Sequence, residues 1–413
     1  MLLLACSLTP EHVASAAEPY WNEFRGPGGR GVSSEKNLPL RFGEDTHVRW
    51  KTPLKGRAWS SPVVWDRQIW FTNATKDGKK MYAVCADIDS GKIVHNMLIF
   101  ENEKLRFCHA LNSFATPTPV VEKGRVYVHF GEYGTACLDT ATGKPLWMRR
   151  DLKCDHYRGP ASSPIMYGNL LIIAFDGFDV QYVVALDRRD GSTVWKKNRA
   201  FDYRTNNGDL KKAYCTPLLV EQGGIKQLIC PAAVATEARD PDTGRLLWTV
   251  RHAGMNASAR PQYAAGLVFI TNGMGSMVAV RPGGKGDVTR DRIAWNSRKS
   301  VPKKSSLLTI GELLFMMSDS GVASCVEAKT GEVIWSKRLG KGKYAASPIS
   351  VPGRIYFFSQ EGEIPVIKPG REFKLLATNK LDAGFMATPA VADGALILRT
   401  KTHLYKVKMT KAE

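Results

Sequence analysis

Much of what would give this sequence an immediate reading is missing from it. None of its eight cysteines is adjacent to another, none forms a CxxC pair, and none stands at metal-like spacing from a histidine. Thioredoxin-like and zinc-finger readings are therefore excluded. No apolar run reaches the roughly 18–20 residues that a membrane-spanning helix needs. There is no P-loop, no Ser–His–Asp signature, and no helix-turn-helix, RNA-recognition or finger motif. Acidic residues are in short supply, 39 against 58 Lys and Arg for a net charge of +19. Such a surface attracts anions over a long range, and it also serves plain solubility. Helical periodicity is absent too; short alternating or apolar runs bounded by Gly, Asp, Asn and Pro read as strands.

What the sequence does contain is repetition. "DTATGKPLW" (Asp139–Trp147), "DRRDGSTVW" (Asp187–Trp195), "DPDTGRLLW" (Asp240–Trp248) and "EAKTGEVIW" (Glu327–Trp335) restate one acid–turn–Gly–apolar–Trp phrase. A catalytic motif is needed once, whereas a structural unit is written once per copy. A second phrase, Ser/Thr-Pro followed by two apolar runs around a turn, recurs at Pro62, Pro119, Pro164, Pro217, Pro261, Pro348 and Pro389. A degenerate copy, "SSLLTIGELLFM", has Ser306 in the Pro place and Ser305 before it. Eight starts at this pitch predict an all-β, eight-bladed β-propeller of four-stranded antiparallel blades.

Each unit parses into strands A to D, with A beginning at the Pro and D carrying the Trp. Gly143, Gly191, Gly244 and Gly331 fall where the C–D turn requires positive φ, and the preceding acid can cap turn amides. Trp50, Trp147, Trp195, Trp248, Trp295 and Trp335 recur once per unit on the strand expected outermost, which predicts packing between blades rather than a cofactor floor. Cys85, Cys137 and Cys325 sit two residues before the acid, where another copy has Ala185, and read as small core residues. The last unit stops after its third strand near Val407. "HVRWKTPL" (His47–Leu54) has the pattern of the missing fourth, so pairing the two closes the ring without an open edge.

The chain thus divides into a leader (1–17), an N-terminal arm (18–46) containing "FRGPGGRGVS", the propeller (47–408) and a tail (409–413). Leu2–Leu4 and the small-x-small Ala14-Ser15-Ala16 predict export to a periplasmic or extracellular location, although no basic segment precedes the leucines. Cys6 after Leu4-Ala5 also fits a lipobox, and a cytosolic apolar N-terminus is the third reading. A Cys108–Cys154 disulfide is open to an exported chain.

The "TGxxxW" turns and "SP" strand starts resemble the pyrroloquinoline-quinone (PQQ)-like β-propeller repeat family over nearly all of 47–408. That resemblance implies an eight-bladed fold. It leaves function open among quinoprotein alcohol dehydrogenases, the lipoprotein that assists outer-membrane protein assembly, and exported members of unassigned role. The dehydrogenase members use PQQ with Ca²⁺, an adjacent Cys–Cys disulfide and a carboxylate set. No adjacent cysteine pair exists here, and Asp176 and Asp179 in "FDGFD" read as hairpin residues rather than Ca²⁺ ligands. No metal site is expected, and PQQ with Ca²⁺ remains the minority cofactor reading.

A site is expected at the channel mouth built by the D–A loops. The residues before the Pro positions are Ser61, Thr118, Ser163, Thr216, Arg260, Ser305, Ser347 and Thr388: seven hydroxyls and one arginine. The hydroxyls read first as partners of buried strand-end amides. Arg260 breaks the pattern and is the first functional candidate. His109, Asn112, His156, Arg158, Arg204, Tyr214, Lys303 and Lys304 add basic or hydrogen-bonding groups that suit carboxylate, sulfate or phosphate. The histidines have a second reading as metal ligands or acid–base groups, and a third as loop packing. The sequence reading is a binding or scaffolding module for an anionic small molecule, glycan or protein, with a quinoprotein oxidoreductase and an envelope assembly subunit as alternatives.

Overall fold

The computed structural model describes residues 20–410. The expected leader and Cys6 lie outside them. Eight sheets follow one another along the chain: blade 1 over 63–101, blade 2 over 120–149, blade 3 over 165–198 and blade 4 over 218–251. Blade 5 covers 262–297, blade 6 covers 308–338, blade 7 covers 349–380, and blade 8 covers 390–407 together with Val48–Pro53. Each is a four-stranded antiparallel meander, as in blade 3 with Ile165–Tyr167, Leu170–Asp176, Gln181–Asp187 and Thr193–Asn198. The protein is an eight-bladed β-propeller.

The B and C strands read as unbroken apolar runs because a neighbouring blade covers each face. Tyr182–Leu186 is buried throughout, and Cys85, Cys137 and Cys325 are wholly buried at their core positions. Closure follows the expected pairing. Val48–Pro53 runs antiparallel to His403–Val407, with Trp50 opposite Lys406 and Pro53 opposite His403, so the first strand of the propeller completes its last sheet.

The recurring phrase proves to be a joint between blades. The Trp195 Nε1–H donates to Pro241 O at 3.1 Å, in the C–D turn of the next blade. Gly244 of that turn has φ +69°, and a Cβ there would lie 2.7 Å from the Trp195 ring. Glycine is thus required twice over, by backbone conformation and by the approach of the indole. Trp147 and Gly191, Trp295 and Gly331, and Trp50 and Gly91 repeat the arrangement. Gly143 instead meets His95, which stands in the Trp place of blade 1. The acids cap as expected: Asp139 Oδ1 accepts from the amides of Ala141 and Thr142 at 3.1 and 2.8 Å.

Three joints depart from the rule. Trp335 Nε1–H donates to Gly370 O at 3.1 Å in a longer C–D turn of blade 7, where Gly370 makes no close approach to the ring. Blade 5 replaces the tight turn by a longer excursion in which Gly286–Asp287 adds a fifth, parallel strand beside Trp248, whose Nε1–H turns to Gln227 Oε1 at 2.7 Å. Blade 8 has no C–D turn, because two distant segments supply those strands, and blade 7 correspondingly carries Ala377 in the Trp place. The arm fills that joint with Leu38 and Phe42. There Asn379 accepts from the Phe42 amide and donates to Leu40 O.

The rest of the arm lies across the channel. Trp21 pairs with Val64 of blade 1, Asn22 O accepts from Val121 of blade 2, and Gly31 and Ser33 bond Ser350 of blade 7. Arg25 is fully buried and donates to Gly29 O, Arg30 O and Leu307 O. Burial, reinforced by Arg260, lowers its pKa to about 9. Gly29 packs directly on the Arg260 guanidinium, Gly26 on the Trp21 ring and Gly31 on Arg25, all at positive φ, which accounts for three of the four glycines of "FRGPGGRGVS".

Asp176 and Asp179 are not paired ligands. Asp176 forms a buried two-bond pair with Arg199, at 2.8 and 2.6 Å. Asp179 Oδ1 accepts from the Asp155 and Val180 amides, the turn role read from the sequence. The seven described cysteines, Cys108 and Cys154 among them, are free thiols. No helix of the described residues is long and apolar enough to cross a membrane.

Candidate functional site

Around the channel, the amide of each residue in the hydroxyl series donates to the hydroxyl of the next blade. Ser61 N bonds Thr118 Oγ1, Thr118 N bonds Ser163 Oγ, and Ser163 N bonds Thr216 Oγ1, each at 3.0 Å. The series resumes from Arg260 N to Ser306 Oγ, Ser306 N to Ser347 Oγ and Ser347 N to Thr388 Oγ1, at 2.9, 3.0 and 2.9 Å. It returns from Thr388 N to Ser61 Oγ at 3.0 Å. The expectation that these hydroxyls satisfy strand-start amides is met, with one correction. Ser306, not Ser305, stands in the belt, because Leu307 rather than Ser306 occupies the Pro place ahead of Leu308–Ile310. Each hydroxyl accepts through oxygen and so keeps its O–H proton available to donate.

Arg260 is the one position without a hydroxyl, so the belt is interrupted at Thr216. Its side chain is buried and bonded to Pro217 O at 3.1 Å, Phe24 O at 2.8 Å and Glu23 Oε2 at 3.0 Å. Arg260 therefore anchors the arm, and it is not part of the mouth lining.

Above the belt, on the D–A loop side, opens a cavity of about 270 Å³. Its floor is Phe24 of the arm with the hydroxyl residues Ser61, Thr118, Ser163, Thr216, Ser347 and Thr388. Its walls include His109, Asn112, Arg158, Tyr214 and Lys304, five of the residues read from the sequence. Four others fall outside it. Arg204 is exposed and absent from the lining. Lys303 contributes its carbonyl to Ser258 and its amide to Asp319. His156 is buried behind the wall, stacked on Phe175, with burial lowering its pKa to about 4, so it is neutral at ordinary pH. Arg260 is the fourth.

Trp59, Asn256, Leu111 and Met386 also line it and were not singled out by sequence. Trp59 had a signal, since it precedes the "SSP" strand start. Asn256 has φ +57°, a conformation no sequence pattern announces. Three buried side-chain atoms of lining residues have no hydrogen-bond partner: Trp59 Nε1, Asn256 Oδ1 and Arg158 Nε. Orphaned polar atoms are uncommon in folded proteins. Among the described residues no carboxylate lines the cavity. Lys304 is paired with Asp319 outside the lining, and Arg158 has only a loose contact, 3.7 Å, to Asp209.

The same residues test a PQQ–Ca²⁺ site. Calcium is bound by oxygen donors that include carboxylates, and this mouth offers hydroxyls, amides and cations instead. Among the described residues no group of three or more His, Cys, Asp or Glu is placed to hold a metal. The donor set does not fit that cofactor.

The eight D–A connections are unequal. Those ahead of blades 2, 3 and 4 cover 102–118, 150–163 and 199–216, whereas the other five have only eight or nine residues. The long ones raise one side of the mouth. Phe107 and Tyr157 on these loops, with Phe178 on the B–C hairpin of blade 3 beside them, are 60%, 41% and 41% exposed and touch in series, with ring centroids 6.0 and 5.6 Å apart. Phe107 also meets His109 of the cavity wall edge-on at 6.4 Å.

Among solved structures the fold has wide company. BamB from Moraxella catarrhalis aligns with a TM-score of 0.62 at 12% identity, over 87% of this chain and 99% of that one. The quinohemoprotein alcohol dehydrogenase from Comamonas testosteroni gives 0.68 at 11% identity, over 97% and 82%. A europium-containing methanol dehydrogenase gives 0.70 at 11% identity, over 94% and 91%. At such identities these likenesses show the fold alone. No curated protein matches the sequence significantly. A family model described as outer membrane protein assembly factor BamB matches residues 100–236 and 235–411, most of the propeller, and on that match the chain belongs to this PQQ-like propeller family.

Proposed function

We propose that this protein is an exported binding propeller that takes an anionic ligand at the D–A mouth. One observation carries the reading: a cavity floored by a belt of O–H donors and walled by Arg158, Lys304 and His109, with no carboxylate in its lining. In a partly desolvated cleft, hydrogen bonds from such donors to an anion are stronger than neutral ones, and the net charge of +19 raises the encounter rate. Phe24, Trp59, Leu111 and Met386 give the ligand an apolar body to cover. The reading is one of recognition.

Calorimetric titration with benzoate and with benzenesulfonate, at several salt concentrations, tests it. Binding that weakens with salt is expected. Arg158→Ala should lose about tenfold in affinity, as follows from the roughly 1.5–3 kcal/mol of a charge-assisted hydrogen bond. Absence of binding, or binding indifferent to Arg158 and to salt, overturns the proposal. The family description favours a second reading, an envelope assembly subunit. A reproducible membrane-protein partner that survives blocking of the mouth with such an anion would favour it.

A further inference from the structure

The proposed mouth is only part of a larger surface. Three residues of the cavity lining carry buried polar atoms without a partner, the acceptor Asn256 Oδ1 and the donors Trp59 Nε1 and Arg158 Nε. From the cavity wall an apolar path leads outward through Leu111, 47% exposed, and His109 to Phe107, Tyr157 and Phe178. A run of touching, exposed aromatic rings on a folded surface marks a contact site.

The ridge is built rather than incidental. Tyr157 has φ +57°, an uncommon conformation for a bulky residue that persists only where its surroundings hold it. Those supports are visible. The Tyr157 amide donates to Asp155 Oδ1 at 2.8 Å, Arg106 pins Asp155 at 2.7 Å, and the buried Lys212 ammonium lies 4.4 Å from the Tyr157 ring centroid. The three long loops carry nine Lys or Arg against five Asp or Glu and are net basic as a group, although Arg106 beside the ridge is already paired with Glu132 and Asp155.

Building on the proposed anionic site, we infer that the ligand is an acidic oligosaccharide, with one uronate-type unit in the cavity and further sugar units along the Phe107–Tyr157–Phe178 ridge. Sugar rings present C–H faces to aromatic and aliphatic side chains and hydroxyls to polar atoms, and their carboxylates complement the basic loops.

The test compares galacturonate, hexagalacturonate and the neutral maltohexaose on the full chain, using wild type and a Phe107→Ala/Tyr157→Ala variant. The expected result is that hexagalacturonate binds at least tenfold tighter than the monomer and tenfold tighter than maltohexaose. The double variant should lose the hexamer's advantage and keep the monomer's affinity. If loss of Tyr157 unfolds the loop, as circular dichroism would reveal, Phe107→Ala/Phe178→Ala replaces it with the same expectation. Equal binding of hexamer and monomer, equal binding of the neutral chain, or a variant that retains the advantage overturns the inference. In each of those cases benzoate binding still decides the broader anion reading separately. If benzoate binds and no saccharide does, only the present inference falls.

Discussion

At the rim of the propeller, Trp195 meets Gly244 as Trp147 meets Gly191 one blade earlier. At the mouth, the 18-residue connection before blade 4 and the nine-residue one before blade 5 share neither length nor charge nor shape. The rim repeats because every blade must solve the same packing problem with the same turn. The mouth varies because nothing in the ring requires its loops to be alike, and loops held by a rigid scaffold are where recognition can diverge. The hydroxyl belt lies between these extremes: structural through its oxygen atoms, which accept amide protons, and available for recognition through its hydrogens.

The largest effect expected belongs to the rim. Trp195→Ala should lower unfolding free energy by about 3–5 kcal/mol in a denaturant titration. Gly244→Ala should exceed the roughly 1 kcal/mol of a left-handed alanine, because its Cβ meets the indole. Gly124→Ala, at φ +78° with open space around it, isolates the backbone component. Equal penalties at Gly124 and Gly244 would remove the joint from the account.

Next comes the arm. Arg260→Ser restores a hydroxyl at the gap in the belt but removes the partner of Glu23. The loss of a buried pair, about 3 kcal/mol, should outweigh the gain, and limited proteolysis should reach residues 20–33 first. A variant as stable and as protease-resistant as wild type would mean that the arm is held without this arginine.

Thr118→Val tests the belt. It keeps the shape and strips the Ser61 amide of its acceptor, a loss of about 1–2 kcal/mol, while also removing one donor from the cavity floor. Stability and benzoate affinity should fall together. A fall in stability alone would confine the belt to its structural role.

The smallest effect at neutral pH lies in the raised half of the mouth. Burial lowers His129 to about 3 and His156 to about 4, from an ordinary 6.5. Between these values and 6.5 the unfolded chain binds more protons than the folded one. The stability they contribute is therefore complete above about pH 6.5 and declines as pH falls toward 4 and 3. Hydrogen exchange should report earlier loss of protection in blades 2 and 3 than in blades 6 and 7. Uniform loss around the ring would locate the acid sensitivity elsewhere.

These contrasts also govern how far the sequence could be read. Blade number, strand order, the closing role of Trp50 and the turn glycines were legible because each is written several times over. The one-residue error at Ser305 arose where the Pro marker itself is replaced. His109, Asn112, Arg158, Tyr214 and Lys304 were found because the D–A loops could be located by counting. Arg260 was located correctly along the chain, but its role as an anchor depends on Glu23 and Phe24, more than 200 residues away. Trp59 and Asn256 join the cavity through loop conformations that no repeat encodes.

Ring closure by Val48–Pro53 has a consequence for biosynthesis. The segment is made before blades 1 to 7, yet its hydrogen-bonded strand partner among the described residues, His403–Val407, follows all of them. Throughout elongation both sheet borders stay unmated, so a nascent chain of this design depends on rapid completion, or on a chaperone that shields those borders, to escape intermolecular pairing.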